Sequence, residues 1–585
     1  MKVSVWLERF LDWRVKHVSD RQFMILLGVV VGLAVGFSAV VIKNTVYFIE
    51  HLLTHNFSRD SFNYLYLLFP SLGILLVVLF SRFLLNKPIG HGVPSVLYAI
   101  SRMGGRIRSH NMFSSALTAS ITVGFGGSVG LEGPTVATGS AIGSNLGRVL
   151  KLSERQIISM LGFAAAGAMA SIFKAPVAAI VFALEVIMID LTMSSLVPLL
   201  AASVSAALTS YFFLGQDVLY PFEVKEGFQL GDVHYYLMFG VLAGLISVYF
   251  TRMYLGIEDL FRRIASWPVR LLIGGVSLGI LIFFLPALYG EGYQAINACL
   301  QGDYSYLFDT SLFSGYRGSV PTAILLVLII VLAKVIATGL TFGAGGVGGI
   351  FAPTLFMGAN LGLFFALLVN HFSLGDVVPS HFALVGMAGL IAGVLHGPLT
   401  AIFLIAEITG GYKLFMPLMI VSTISYATVR LFLTNSVYTY MLARRGDLIT
   451  HHKDKAVLTR MKVKNLVETN FLTIGPEASL RELVQLISRS QRNIFPVTEP
   501  NGHFLGIVRL DDIRETMFQT ERYDDTTVRS LMVVPEAIVE VTDTMEAVAE
   551  KFKRSGKYNM VVLENGRYLG FVSRANVFSE YRNLL

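Results

Sequence analysis

Glu132 stands within "GSVGLEGPTVATGS" (Gly127–Ser140), a stretch set among long, nearly uncharged apolar segments. An acid followed by Gly133 and Pro134 lies on backbone open enough to meet a ligand closely. Two further Gly/Pro breaks share this texture, "GHGVP" (Gly90–Pro94) and "GGIFAP" (Gly348–Pro353). Each ends in proline, which suits a first helical turn because its missing N–H would be unpaired there anyway. A helix that begins inside a membrane leaves N–H groups without carbonyl partners. Such groups are tolerated only around a buried or water-filled cavity. They carry the positive end of the helix dipole, equivalent to about half an elementary charge. Several such starts aimed at one point make an anion site without a lysine or arginine. Without a full cation, the ion can leave as well as arrive. Glu132 then has two readings. It is a gate, whose carboxylate takes the anion's place and vacates it when protonated or swung aside. Alternatively, it is an ordinary cap satisfied by its own helix N-terminus. Ionisable groups in spans are functional by default.

A second chemistry is written in "GGSVG" (Gly126–Gly130), which fits the Gly-x-Ser-x-Gly pattern of serine hydrolases with Ser128 as nucleophile. That pattern needs a strand–turn–helix setting with His and Asp partners. The flanks here are membrane segments, so an intramembrane hydrolase is the remote alternative and no enzyme is expected. There is no HExxH or other metal-ligand cluster, and the single Cys299 excludes an intrachain disulfide.

The elements that must position these residues are apolar. The 585 residues are 54% hydrophobic and only 15% charged, against roughly 25% charged in ordinary globular proteins. Phe23–Ile42 carries no charge and is long enough to cross a hydrocarbon core of about 30 Å. Leu271–Gly290 and Thr322–Gly343 are similar, the latter interrupted by Lys334. This is the composition of a polytopic integral membrane protein whose environment is the lipid bilayer. Residues 1–22 are basic and amphipathic and read as an interfacial helix. Their charge places the N-terminus in the cytoplasm. The net charge of +7 thus reflects juxtamembrane lysines and arginines, not a nucleic-acid partner.

The membrane region, 23–443, repeats itself over about 23–215 and 233–440. "KAPVAAIVFALEV" (Lys174–Val186) parallels "HGPLTAIFLIAEI" (His396–Ile408), with Pro176 and Pro398 each nine residues before an acid, Glu185 and Glu407. Matching broken segments in two halves point to a transport site between repeats. A charged linker, 444–461, leads to two copies of one α+β unit, 462–520 and 528–585.

These motifs, taken in order, resemble the CLC family of chloride channels and proton-coupled anion exchangers, and the tail resembles a tandem pair of CBS domains. "GHGVP" stands where that family usually has Gly-Ser-Gly-Ile-Pro, and "GLEGP" stands for Gly-Arg/Lys-Glu-Gly-Pro. "GGIFAP" matches Gly-x-Phe-x-Pro, and "SVYTYMLAR" (Ser436–Arg444) matches the segment carrying the chloride-coordinating tyrosine, here Tyr438. The resemblance implies an all-α polytopic membrane domain, a CLC-type inverted repeat of broken and tilted helices, followed by an α+β cytoplasmic CBS pair. It implies a homodimer with one anion pathway per subunit, in the plasma (inner) membrane, with both termini cytoplasmic. Glu132 becomes the gating glutamate. The anion-binding set becomes His91, Gly92, Leu131, Gly133, Ile350, Phe351 and Tyr438, with the amides of Ile350 and Phe351 facing the ion.

Three departures matter. His91 replaces the usual serine donor; either its imidazole donates, or it turns away and only backbone lines the site. Leu131 replaces a basic residue beside the gate, so a steering charge is lost. Val186 replaces the second glutamate of a pair that relays protons in many family exchangers. A valine carries no proton, which favours a passive channel over the alternative, a proton-coupled exchanger. In the tail, the adenine-nucleotide signature Gly-h-h-Ser/Thr-x-x-Asp is incomplete in both copies. Gly506 and Asp512 fit, with Arg509 in place of the hydroxyl; Gly570 and Ser573 fit, with Asn576 in place of the acid. No cofactor is required, and the tail either binds a nucleotide or braces a dimer.

Overall fold

A computed structural model describes residues 2–54, 64–86, 89, 92–187, 193–215, 220, 227–308, 313–444, 458 and 461–584. It divides into two compact units, Met1–Leu448 and Ile449–Leu585.

The first unit is helical. Its first half holds α1 (Lys2–His17), α2 (Asp20–Thr54), α3 (Phe69–Leu79), α4 (Gly92–Arg102) and α5 (Asn111–Gly124). It continues with α6 (Glu132–Val149), α7 (Glu154–Phe173), α8 (Pro176–Glu185) and α9 (Met193–Leu214). The second half holds α10 (Val233–Arg262), α11 (Trp267–Phe284), α12 (Tyr293–Leu300), α13 (Val320–Ala344) and α14 (Phe351–His371). It closes with α15 (Pro379–Leu395), α16 (Pro398–Ile408), α17 (Phe415–Arg430) and α18 (Val437–Arg444). Among the described residues, eight helical segments are long and apolar enough to cross a membrane. This is a multi-span membrane protein.

The amphipathic helix is shorter than the sequence suggests. α1 stops at His17, because Ser19 opens a new helix: Ser19 N–H donates to Gln22 Oε1 at 3.3 Å and Gln22 N–H to Ser19 Oγ at 3.4 Å. That reciprocal pair is a capping box. The other end of the membrane region also shifts, since Arg444 belongs to α18 and ion-pairs with Asp259 at 3.2 Å. Of the linker 444–461, residues 445–457, 459 and 460 lie outside the described residues.

The repeat is visible in the backbone. α7 ends at Lys174 (φ 56°) and α15 at His396 (φ 57°), both left-handed, and each is followed by a proline-initiated helix. α6 packs on α7 as α14 packs on α15. α7 and α14 are buried along most of their length, as central elements must be.

The second unit pairs β1 (Ile494–Thr498) antiparallel with β2 (Phe504–Arg509), and orders β3 (Ile538–Glu540), β4 (Asn559–Glu564) and β5 (Arg567–Ser573) as β3-β4-β5. Helices α19 (Leu480–Arg489), α20 (Met545–Ser555) and α21 (Arg574–Leu584) cover these strands. Ser479 and Glu482 form a capping box at α19. The copies interlock: Glu468 bridges to Phe571 of the second, and Val533 to Ile507 of the first. Phe471, Phe504, Ile507, Val561, Leu563 and Phe571 form one shared core. On the surface, Arg481 meets Asp524 in a bidentate pair at 2.9 and 2.8 Å, which holds that carboxyl below its usual range.

Candidate functional site

α6 and α14 begin alike. The residue before each first turn is apolar and helical in backbone, Leu131 (φ −90°, ψ −14°) and Ile350 (φ −92°, ψ −3°), and neither supplies a side-chain cap. The two starts are pinned together. Gly130 N–H donates to Gly349 O at 2.8 Å, and Gly349 N–H to Gly130 O at 2.7 Å. α4 joins the same point. A Cβ on Gly92 would stand 3.2 Å from Gly133 Cα, and one on Gly349 would stand 2.8 Å from Gly133 N. Glycine at 349 is therefore a packing requirement, and a Cβ at 133 would stand a tight 3.2 Å from Gly349 Cα.

A cavity of about 810 Å³ leads to this junction. Its buried lining includes Gly92, Gly133, Ile350 and Tyr438. Its more accessible lining includes Arg82, Arg262 and Arg270. Positive charge along a cleft raises the local concentration of anions. Arg262 is partly neutralised by Glu258 at 3.0 Å.

Gly92, Gly133, Ile350 and Tyr438, four of the residues named in the sequence, thus line the same cavity. Phe351, buried, opens α14 beside them and packs on Phe173 with ring centroids 5.2 Å apart. Gly90 and His91 lie outside the described residues. Leu131 departs from the expectation. Its N–H donates to Glu291 Oε1 at 3.0 Å, so that amide is already engaged and does not face an anion.

Glu132 is 1% exposed and does not line the cavity. Its Oε1 accepts from the Tyr293 hydroxyl at 3.4 Å. Its Oε2 is buried and has no hydrogen-bond partner among the described residues. The carboxylate lies toward its own amide and that of Ala352 in the first turn of α14, without completing a bond there. This is not how the chain caps a helix. At α7, Ser153 and Gln156 satisfy each other and the backbone in a closed box. Glu132 instead places a charge between two bare helix starts and leaves one oxygen unpaired.

Two further helix starts, those of α16 and α8, are treated in the opposite way. Glu185, at the end of α8, accepts from Leu399 N–H at 3.2 Å, Thr400 N–H at 2.7 Å and Thr400 Oγ1 at 2.7 Å at the start of α16. Glu407, near the end of α16, accepts from Val177 N–H at 3.1 Å and Ala178 N–H at 2.7 Å at the start of α8. Each half thus caps the other's broken helix with a carboxylate. The sequence marked both acids as landmarks of the repeat; their exchange across it depends on a long-range contact that no local pattern encodes. Val186 is buried next to Glu185 and offers no polar atom.

Ser128 is no nucleophile in waiting. It is fully buried, donates to Leu288 O at 2.7 Å and accepts from Lys334 Nζ at 2.8 Å. Lys334 also reaches Gly290 O at 3.0 Å and lies 4.7 Å from the Phe356 ring centre. The lysine that interrupts an apolar span is therefore a buried tie between α13 and the loops around the site. Glu291 and Tyr293 were missed by sequence reading. The signal was present in "GEGY" (Gly290–Tyr293), another acid beside glycine in an apolar setting.

In the tail, the nucleotide-signature residues have partners within the pair. Ser573 Oγ donates to Glu468 Oε1 at 2.6 Å and accepts from Asn576 N–H at 3.1 Å. The other oxygen of Glu468 accepts from Arg492 at 2.9 Å. Gly506 and Gly570 have packing reasons: a Cβ would stand 2.9 Å from Val533 O and 2.5 Å from Glu468 O, respectively. Arg509 is half-buried, and Asp512 and Asn576 are exposed.

Residues 72–430 match the family described as voltage gated chloride channel, and residues 463–518 and 528–583 each match the CBS domain. A putative chloride channel protein ClcB-like of Ralstonia nicotianae is 31% identical over 391 residues, covering 65% of this chain and 86% of that protein. An H(+)/Cl(-) exchange transporter ClcA of Vibrio cholerae serotype O1 is 30% identical over 331 residues, covering 55% of this chain and 67% of the relative. The crystal structure of a slow cyanobacterial Cl-/H+ antiporter shares the fold with a TM-score of 0.61 at 22% identity, over 73% of this chain and 98% of that one.

Proposed function

This chain belongs to the voltage gated chloride channel family, and on that premise we propose that it carries chloride and other small anions across a membrane, gated by Glu132. One observation carries the reading. The uncapped starts of α6 and α14 are pinned side by side at the end of a basic-mouthed cavity, and a buried carboxylate with an unpaired oxygen lies between them. Chemically, such a site holds and releases an anion. By family analogy, the assembly is a homodimer with one pathway per subunit, in the plasma (inner) membrane, with both termini cytoplasmic.

Passive conduction is the favoured mode. Val186 has no exchangeable proton, and Glu185 is tied into the cap on α16. Proton-coupled exchange is the second reading, favoured by the direct contact between Glu132 and the Tyr293 hydroxyl. Reversal potentials in bilayers under paired chloride and pH gradients separate the two. A tenfold chloride gradient is expected to shift the potential by about 59 mV, with no movement when pH alone changes. A shift with pH at fixed chloride overturns the passive mode in favour of exchange.

We read the CBS pair as a brace, not a nucleotide sensor. A ligand at one hundred times its Kd raises stability by about 2.7 kcal/mol. Millimolar ATP, ADP or AMP is therefore expected to leave the thermal unfolding of the full chain unchanged; an upward shift lost in Asp512→Ala would restore the nucleotide site.

A further inference from the structure

We propose that Glu291 and Tyr293 form a proton route to Glu132 from the side of the gate opposite the cavity. The inference rests on reading Glu132 as the gate. Glu132 is all but sealed from solvent and is absent from the cavity wall. A carboxylate that opens by taking up a proton still needs a donor. The α8 side offers none, because Val186 is apolar and Glu185 is committed to the start of α16. The "GEGY" loop offers one.

α11 begins with Trp267 and Arg270 on the cavity and runs to Phe284. Eighteen residues at 1.5 Å each carry the chain about 27 Å away, and Glu291 follows that far end. It is held against the gate, since its Oε1 accepts from the N–H of Leu131, the residue before Glu132. It is partly accessible, whereas Glu132 is not. Tyr293 opens α12 from the same loop. Its hydroxyl donates to Glu132 Oε1 at 3.4 Å and lies in range of the Glu291 carboxylate. One hydroxyl thus stands between an acid on a partly accessible residue and an acid that is sealed.

The transfer balances without a co-reactant. The Tyr293 O–H bond breaks as its proton passes to Glu132 Oε1. A new O–H bond forms on Tyr293 with the proton from Glu291. Tyrosine is unchanged, Glu132 becomes neutral, and the negative charge moves to Glu291. The 3.4 Å contact is longer than a working proton-transfer distance, and such contacts tighten in the active complex. The charged and titratable groups acting on Glu291 are Glu132 from α6, Lys43 and Glu50 from α2, and Lys334 from α13, with Tyr293 and Tyr220 beside them. Lys43 Nζ is fixed on Ile172 O at 2.5 Å, and Lys334 on Ser128 and Gly290. Both amines are therefore held near the place to which the negative charge moves.

The test is chloride efflux from proteoliposomes of the full chain, with pH varied on one side at a time. Wild-type flux is expected to rise as pH falls on the Glu291 side. Glu291→Gln and Tyr293→Phe should each cut that rise at least tenfold. On a Glu132→Gln background, neither substitution should change the profile further. Wild-type pH profiles in both single variants overturn the route. If Glu132→Gln itself keeps the wild-type profile, the gate reading fails, whatever Glu291 does. Should Glu291→Gln not yield monodisperse protein, Tyr293→Phe decides alone, because losing one hydroxyl leaves the ring packing intact.

Discussion

Glutamine at position 132 is expected to leave anion flux switched on at every pH. The carboxylate of Glu132 lies between the starts of α6 and α14, where neither helix has a side-chain cap. Two helix starts contribute positive potential equivalent to about half a charge each, and only an anion answers it in full. The glutamate side chain and a mobile chloride therefore compete for one place. Glutamine keeps the shape and loses the charge, so chloride wins that competition at any proton concentration. Flux at neutral pH should rise about tenfold or more over wild type in proteoliposomes, and its dependence on pH should go flat. A variant with wild-type flux and wild-type pH response would remove Glu132 from the gate.

The second large effect is on stability. Glu185→Ala removes three hydrogen bonds to a carboxylate and bares the first turn of α16; Glu407→Ala removes two and bares that of α8. Bonds to charged groups contribute roughly 1.5–3 kcal/mol each, and they are not additive. A loss of about 3–5 kcal/mol for Glu185→Ala is expected, less for Glu407→Ala. Thermal unfolding in detergent should rank wild type above Glu185→Gln above Glu185→Ala, because the amide oxygen still accepts but carries no charge. An alanine variant as stable as wild type, with altered proton movement, would instead make Glu185 a proton carrier.

The parts of this molecule legible in sequence are those written locally. Gly/Pro breaks mark helix starts because glycine and proline act on their own backbone, so α6 and α14 begin within the motifs that announce them. The repeat was legible because both halves use the same turn, a left-handed residue and then a proline helix. What stayed hidden depends on distant partners. Nothing near Gly130 announces Gly349, nothing near Glu185 announces Thr400, and Leu131 gives no sign that its amide is held by Glu291. His91, the most informative departure by residue type, lies outside the described residues, so its two readings stand as the sequence left them. In the tail, Gly506 and Gly570 belong to a nucleotide signature and also meet a close packing contact that no local pattern encodes.

The Gly130–Gly349 bridge limits what can move. Its two amide–carbonyl bonds join one residue from each repeat, at the very place where the ion would rest. Rocking the halves apart, the usual way a two-fold carrier turns from one face of the bilayer to the other, would break both bonds. In either mode of transport, the path is therefore expected to open by the swing of individual side chains within a fixed frame, a barrier of rotamers rather than of domains.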